Sequence, residues 1–461
     1  MTYKLNWHFI KIYVYNIRRF LQRSLGGVQK EKNPNMFKKV KIRIYYFINK
    51  LQGYLKIDFF YLIKGESWLM LGKAISMTSA FLLSLAWANW IDKEIFGNYQ
   101  YILSLVGIIS IFSLPEIGTA VVQAVARKYE GSFIRGFKTQ LKWGILGSLS
   151  ALGIAGYYWL QGNKNLPLSF LIIAIFLPLF NASIIYLSFL TGRKLFNIQA
   201  KYDSITQVAA AAIMILTLFS VKNFLFDLPV YVILLLIISI YFLSRTILRF
   251  FFFILTKTKF QPNPKEDPKT ITFGKHLSLS GLIDILTSYL DKVLLFHYLG
   301  AIELAIYAFA VLVPKQIDVL LKHISTLALP KFSVRDKEEI KKIILRKICY
   351  LTILISVLVL IYIIIAPFIY QIFFPKYLNS ISYSRLYALS IIPLSFAIIG
   401  HIFRAKMMIK QIYQVRVVIP LVRVGLFLTL IPLYGIWGAL WSILVVRTFS
   451  ALLFLFLFRK I

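Results

Sequence analysis

The chain has 461 residues, of which 59% are hydrophobic and 15% charged, with a mean hydropathy of +0.74 and a net charge of +35. This balance excludes an ordinary soluble domain and demands many membrane spans. In a soluble protein the Lys/Arg excess would point to nucleic acid; here it fits the basic cytoplasmic loops of a polytopic protein, so no nucleic-acid partner is expected.

Residues 1–65 carry fourteen Lys or Arg against Glu31 and Asp58. Basic and aromatic residues are mixed along 5–23. Residues 1–64 are therefore expected to be a basic cytoplasmic or interfacial extension on an anionic leaflet, with membrane lipids as its partner. From there twelve apolar segments follow, each about 20 residues, the length a bilayer core requires. They fall near 67–90, 99–122, 142–160, 168–190, 203–221, 229–253, 277–299, 304–326, 348–370, 384–403, 415–431 and 436–458. At this length only helices can span, because backbone groups in lipid must bond internally. The expectation is an all-α polytopic membrane protein of about twelve transmembrane helices.

The loops alternate in charge. One side holds Arg127, Lys128, Arg135 and Lys138, then Arg193, Lys194 and Lys201, then five lysines between 257 and 275, with further clusters near 331–347 and 404–416. The other side holds little beyond Lys93, Lys164, Lys222 and Lys376. Positive charge is retained inside, which places both termini in the cytoplasm. Residues 254–276 form the polar, proline-bearing stretch (Pro262, Pro264 and Pro268) that divides the helices six and six. This sets an N-lobe at 65–253, a cytoplasmic linker at 254–276 and a C-lobe at 277–461. Two six-helix lobes of the same orientation are related by a pseudo-twofold axis along the membrane normal, with a substrate path between them.

Charge inside the apolar segments is where function should lie, since a charge at the bilayer centre costs about 2.5–3.5 kcal/mol on insertion scales. Lys73, Lys292, Lys315, Arg423 and Arg447 are candidates to line a basic inter-lobe cavity for an anionic substrate. Asp284, Ser288 and Asp291 recur at four and three residues and share one helix face. Asp284, Asp291 and Asp318 are candidates for ion coupling or for internal pairing, Asp318 with Lys315 or Lys322 and Lys292 with Asp284 or Asp291. Lys322, Arg249 and Arg416 lie near the cytoplasmic helix ends and are expected to snorkel. Glu116, beside Pro115, marks a point where the second helix could break. The single cysteine, Cys349, leaves no disulfide framework or Cys/His metal site, and no metal or cofactor is expected. There is no Walker loop and no Gly-rich dinucleotide turn, and the outside loops are too short for a catalytic domain, so an enzyme is not expected.

Short motifs in order add a resemblance. Tyr289-Leu290-Asp291-Lys292-Val293-Leu294-Leu295, then Tyr298-Leu299-Gly300 and Ile306-Tyr307-Ala308, resembles the start of the second lobe in the polysaccharide flippases of the multidrug/oligosaccharidyl-lipid/polysaccharide (MOP) superfamily. Phe96-Gly97-Asn98-Tyr99, Gly118-Thr119-Ala120, Leu329-Pro330-Lys331-Phe332 and Gly435-Ile436-Trp437-Gly438-Ala439 match in kind and order. The resemblance covers roughly residues 65–461. It implies a flippase that moves an undecaprenyl-diphosphate-linked oligosaccharide across a prokaryotic cytoplasmic membrane by alternating access, with H+ or Na+ coupling and polysaccharide-assembly enzymes as neighbours. The alternatives are a drug/cation antiporter of the same superfamily, which needs an acidic cavity, and a membrane polysaccharide polymerase or ligase, which needs a long outside loop.

Overall fold

The computed structural model describes residues 59–225, 227–327, 337–406 and 408–459. Residues 1–58, and with them nearly all of the basic extension, lie outside the described residues, as does the motif at 329–332. Residues 66–461 form one compact unit. Every regular element in the described residues is helical.

Helix α1 (Phe59–Trp90) and helix α2 (Lys93–Ile109) turn sharply about Ile91 and Asp92. The span expected at 99–122 is broken. A 3-10 turn at Ser110–Ser113 and Leu114, in the left-handed region at φ +53°, separate α2 from α3 (Ile117–Ala126). Pro115 is the cause: it has no N–H to continue the ladder and disfavours helical geometry in the residue before it. Two polar side chains satisfy what the break exposes. Asn181 donates to the hydroxyls of Ser110 (3.2 Å) and Ser113 (3.0 Å), and Gln140 donates to the Leu114 carbonyl (3.2 Å).

Next come α4 (Ser132–Leu160), α5 (Pro167–Ser183), α6 (Ile185–Gly192), α7 (Phe196–Phe224) and α8 (Val230–Phe260). The expected linker is shorter than 254–276, because α8 runs to Phe260 and α9 (Lys269–Ser280) begins early, leaving 261–268 as the connection. Gly281 then separates α9 from α10 (Leu282–Leu299), where a single span had been expected from 277. Helices α11 (Ala301–Leu327), α12 (Lys337–Phe373), α13 (Ser380–Leu389), α14 (Ala397–Ala405) and α15 (Ile409–Arg459) complete the described chain. Helix α15 folds back on itself at Gly435, whose φ of +58° and ψ of −129° no side-chain-bearing residue adopts cheaply. The two arms touch where Ser442 Oγ donates to the Leu426 carbonyl at 3.2 Å.

Eight helical stretches among the described residues are long and apolar enough to cross a bilayer. The chain is a multi-pass membrane protein. The expected spans at 142–160, 277–299 and 304–326 coincide with α4, α10 and α11, which are helical but more polar. Helices α10 and α11 carry the charged residues Asp284, Asp291, Lys292, Lys315 and Asp318.

Helices α1–α8 and α9–α15 are not packed alike at their two ends. One large apolar core runs through both sets at the end holding Trp87, Phe96, Leu304, Phe309, Tyr377 and Leu440. At the opposite end the apolar residues form two separate cores. One holds Ile117, Phe133, Phe189 and Phe253; the other holds Ile348, Ile402, Phe403 and Phe454. The shared end is tight. Gly97 of α2 lies so close to α11 that a Cβ there would sit 1.8 Å from the Ala301 carbonyl oxygen. The Phe96 and Phe309 rings meet at 4.9 Å between centroids, and Asn89 donates to the Phe373 carbonyl at 3.1 Å.

Candidate functional site

Below the shared core, α2 and α10 face each other across a cavity of about 600 Å³. Helix α2 contributes Gln100, Ser104 and Gly107, and α10 contributes Asp284, Ser288, Tyr289 and Lys292. Phe180 of α5 and Tyr241 of α8 close one wall. Asp284, Ser288 and Lys292 recur every four residues, so successive turns of α10 present them on one side. Gly107 is what lets α2 approach the Tyr289 ring, since a Cβ there would lie 2.3 Å from it.

The charge face of α10 differs from the sequence expectation. Asp284 and Ser288 line the cavity, but Asp291 turns to α11, where it accepts a 2.5 Å hydrogen bond from the Tyr307 hydroxyl. Lys292, one residue on, takes the cavity position and donates to Gln100 Oε1 of α2 at 2.9 Å. Its hydrogen-bond partner is thus an amide across the cavity, where Asp284 or Asp291 had been expected to pair with it. A neutral acceptor leaves the ammonium's charge available to a ligand, which a carboxylate would cancel.

Lys315, Arg423 and Arg447 gather around the same helix; Lys73 does not. Lys315, exposed on α11, is close enough to Lys292 for the two charges to interact. Arg423, half-buried on α15, lies within electrostatic range of Arg447, Asp291 and Asp284. Arg447 itself is engaged. It pairs with Asp318 at 2.9 Å and donates to the Ser390 and Tyr387 hydroxyls at 3.0 and 3.1 Å. Asp318 therefore pairs with the arginine on the last helix rather than with Lys315; the Lys322 side chain lies outside the described ones. Lys73 is exposed on α1 and is not among the residues that line the cavity.

Two cationic residues on α8 were not found from sequence as part of this site. Arg245, which sequence reasoning passed over, stacks its guanidinium 4.0 Å from the centre of the Tyr241 ring. Arg249, expected to snorkel, stacks 4.2 Å from Phe180 and donates to the Phe180 carbonyl at 3.2 Å. Both rings are cavity wall, so each guanidinium backs an aromatic surface that faces the space. Arg245 Nη1 is buried with no hydrogen-bond partner among the described residues. Their i, i+4 spacing on an otherwise apolar helix was the available signal. With Arg447 neutralised by Asp318, the surroundings of the cavity hold Lys292, Lys315, Arg423, Arg245 and Arg249 against Asp284, Asp291 and, within range of Arg249, Asp203. This set favours an anion.

Comparison with known proteins agrees with this architecture. A family model described as polysaccharide biosynthesis protein matches residues 62–334, more than half of the chain. The fold is similar to the inward-facing structure of a multidrug resistance MATE family transporter of the MOP superfamily, with 13% identity, coverage of 85% of this chain and 97% of that one, and a TM-score of 0.65. The outward-facing structure of a MATE transporter is similar as well, with 13% identity, 86% and 95% coverage and a TM-score of 0.62. So is a MOP superfamily transporter from Pyrococcus furiosus described as having a binding pocket of reversed polarity, with 14% identity, 86% and 95% coverage and a TM-score of 0.60. None of the curated proteins matches the chain in sequence. At such low identity the solved structures speak for the fold and the family match for the membership: the chain belongs to the polysaccharide biosynthesis protein family and has the fold of MOP superfamily transporters.

Proposed function

We propose that the protein is a flippase that carries a lipid-linked oligosaccharide, of the undecaprenyl-diphosphate type, across the cytoplasmic membrane for surface-polysaccharide assembly. The observation that carries this reading is the cavity between α2 and α10, whose lining ammonium, Lys292, is held by an amide rather than a carboxylate, with further cations around it. A diphosphate headgroup supplies the anion such a site lacks, and arginine and lysine differ usefully there: the first binds phosphate oxygens in pairs, the second as a point charge. The hydroxyls and amide on the same walls, Ser104, Ser288, Tyr289 and Gln100, suit sugar hydroxyls.

Alternating access follows from the packing at the two ends. With the basic loops in the cytoplasm, the shared core seals the outer side, and the separately cored ends face the cytoplasm. The headgroup enters from the cytoplasm while the polyprenyl tail stays in lipid; the six-helix lobes then rock and the seal passes to the other end. A ligand or ion drives this only if it binds the two states differently. We assign that role to a proton or sodium gradient acting at Asp284, which faces the cavity, or Asp291, which Tyr307 holds beside it.

Complementation of a strain lacking its own oligosaccharide flippase tests the reading, with intact chain, Lys292→Ala, Arg423→Ala and Lys315→Ala at equal membrane levels. The expected result is rescue by the intact chain and at least a tenfold loss of surface polysaccharide with Lys292→Ala. Rescue by every variant would remove the cavity from the mechanism. A multidrug substrate, as carried by the MATE relatives of the same fold, would instead appear as cation efflux from the intact chain.

A further inference from the structure

A second concavity, of about 870 Å³, lies between α1 and α7 and ends at the C-terminus of α8. It shares no residue with the cavity between α2 and α10. Its floor is a close helix crossing: Gly72 of α1 meets Ala200 and Ser204 of α7, and Ser204 Oγ donates to the Gly72 carbonyl at 3.2 Å. Its sides are apolar and exposed, with Leu71 57% and Ile75 49% accessible on α1 and Ile205 41% and Val208 39% on α7.

The groove has a direction. Helix α7 begins at Phe196 and packs against α8, which ends at Phe260, so the start of one lies beside the end of the other. Lys201 and Lys259 consequently line the same end of the groove, both exposed, with Asn197 one turn beyond Lys201. From Asn197 to Val208 the groove follows α7 for about 16 Å at 1.5 Å per residue, roughly half a bilayer core of about 30 Å. A slot with two ammonium groups at one end and an apolar channel one leaflet deep has the polarity of a single phospholipid. The cationic end is also the end that carries the basic loops, where anionic headgroups of the inner leaflet are found.

We propose that this groove is a binding site for an anionic glycerophospholipid. One acyl chain lies along Leu71, Ile75, Ile205 and Val208, and the phosphate sits between Lys201 and Lys259. This does not depend on which substrate the central cavity carries.

The test uses the purified full chain in detergent, titrated with phosphatidylglycerol and with phosphatidylcholine of the same acyl chains, and bound lipid is counted by native mass spectrometry. Each lysine near an anionic lipid contributes a factor of about five, so Lys201→Ala with Lys259→Ala should weaken phosphatidylglycerol binding about thirtyfold. Ala209→Phe fills the apolar channel without changing charge and should weaken it as well. Lys138→Ala with Lys142→Ala removes equal charge from α4 and should leave binding unchanged. Equal binding of both lipids, or equal losses in the α4 control, would overturn the site and reduce the effect to general attraction between a basic protein and an acidic lipid.

Discussion

The two ends of the bundle join its helices by different chemistry. At the shared end the contacts across the two sets of helices are close and, apart from Asn89 on the Phe373 carbonyl, mainly packing: Gly97 against the Ala301 backbone, Phe96 against Phe309 and Phe81 against Phe373. At the other end the connection at 261–268 is tied by charge to residues 127–135, the turn before α4 and its first residues. Arg193 grips Glu130 through two bonds of 2.7 and 2.6 Å, Glu130 also accepts from the Asn263 amide at 3.0 Å, Arg127 meets Asp267 at 2.6 Å and Arg135 meets Glu266 at 3.0 Å. These bonds hold the connection on the α3–α4 side, so the only helix break between it and α10 is at Gly281. Apolar contact costs about 25 cal/mol per Å² to open, whereas the polar latch is held by hydrogen bonds and ion pairs among residues 127–135, Arg193 and the connection.

The largest expected effect lies between the ends, where Asp318 and Arg447 neutralise each other. Asp318→Asn leaves Arg447, largely shielded from solvent, without its counter-charge and should cost about 3–5 kcal/mol of thermal stability in detergent. Arg447→Gln on top should recover part of that loss, because the pair is coupled. Additive losses would show that the two do not act together.

Next in size is the apolar end. Gly97→Leu drives a side chain into backbone that no rotamer can avoid, and overpacking of this kind costs about 1–3 kcal/mol. The variant should lose the sealed state, read as solvent labelling of a cysteine placed at Ala301. Unchanged labelling would mean that the seal does not depend on this approach.

The charged latch should respond least at neutral pH and most in acid. Glu130→Gln removes one charge from a partly shielded pair and is expected to cost about 0.5–1.5 kcal/mol. The hydrogen bonds from Arg193, with that from Asn263, hold the Glu130 carboxyl below its ordinary value of 4.5 despite its burial. A carboxyl lowered on folding adds stability above its unfolded pKa and loses it as pH falls through the folded one. Stability of the intact chain should therefore hold from pH 7 to about 5 and fall below 4.5, and Glu130→Gln should flatten that fall. An unchanged acid limb in Glu130→Gln would assign the fall to other carboxylates.

Much of the bundle was legible beforehand because spans obey a length rule. Breaks inside spans were legible only where a residue forces them: Pro115 announced the interruption after α2, whereas the turn at Gly281 needed the tertiary contacts of α9 on α3, including the Glu116 amide on Ser278 Oγ at 3.2 Å. The charged residues themselves could be listed from their cost in lipid. Their partners could not, because partners come from helices far apart in sequence. Lys292 and Gln100 are 192 residues apart, and Arg447 and Asp318 are 129 apart. Arg245 escaped because helix periodicity alone does not say which ring will take its charge.

The sequence by itself determined that the chain crosses the membrane many times as helices and which costly charges it carries there, since hydrocarbon imposes both rules on each segment separately. Only the tertiary structure decided which of those charges are spent on one another and which face open space. Asp291 and Lys292 are neighbours in sequence, yet one is held by Tyr307 and the other reaches across the cavity to Gln100. Adjacent residues on a helix point about 100° apart, and the helix packed on each side fixes what each one meets.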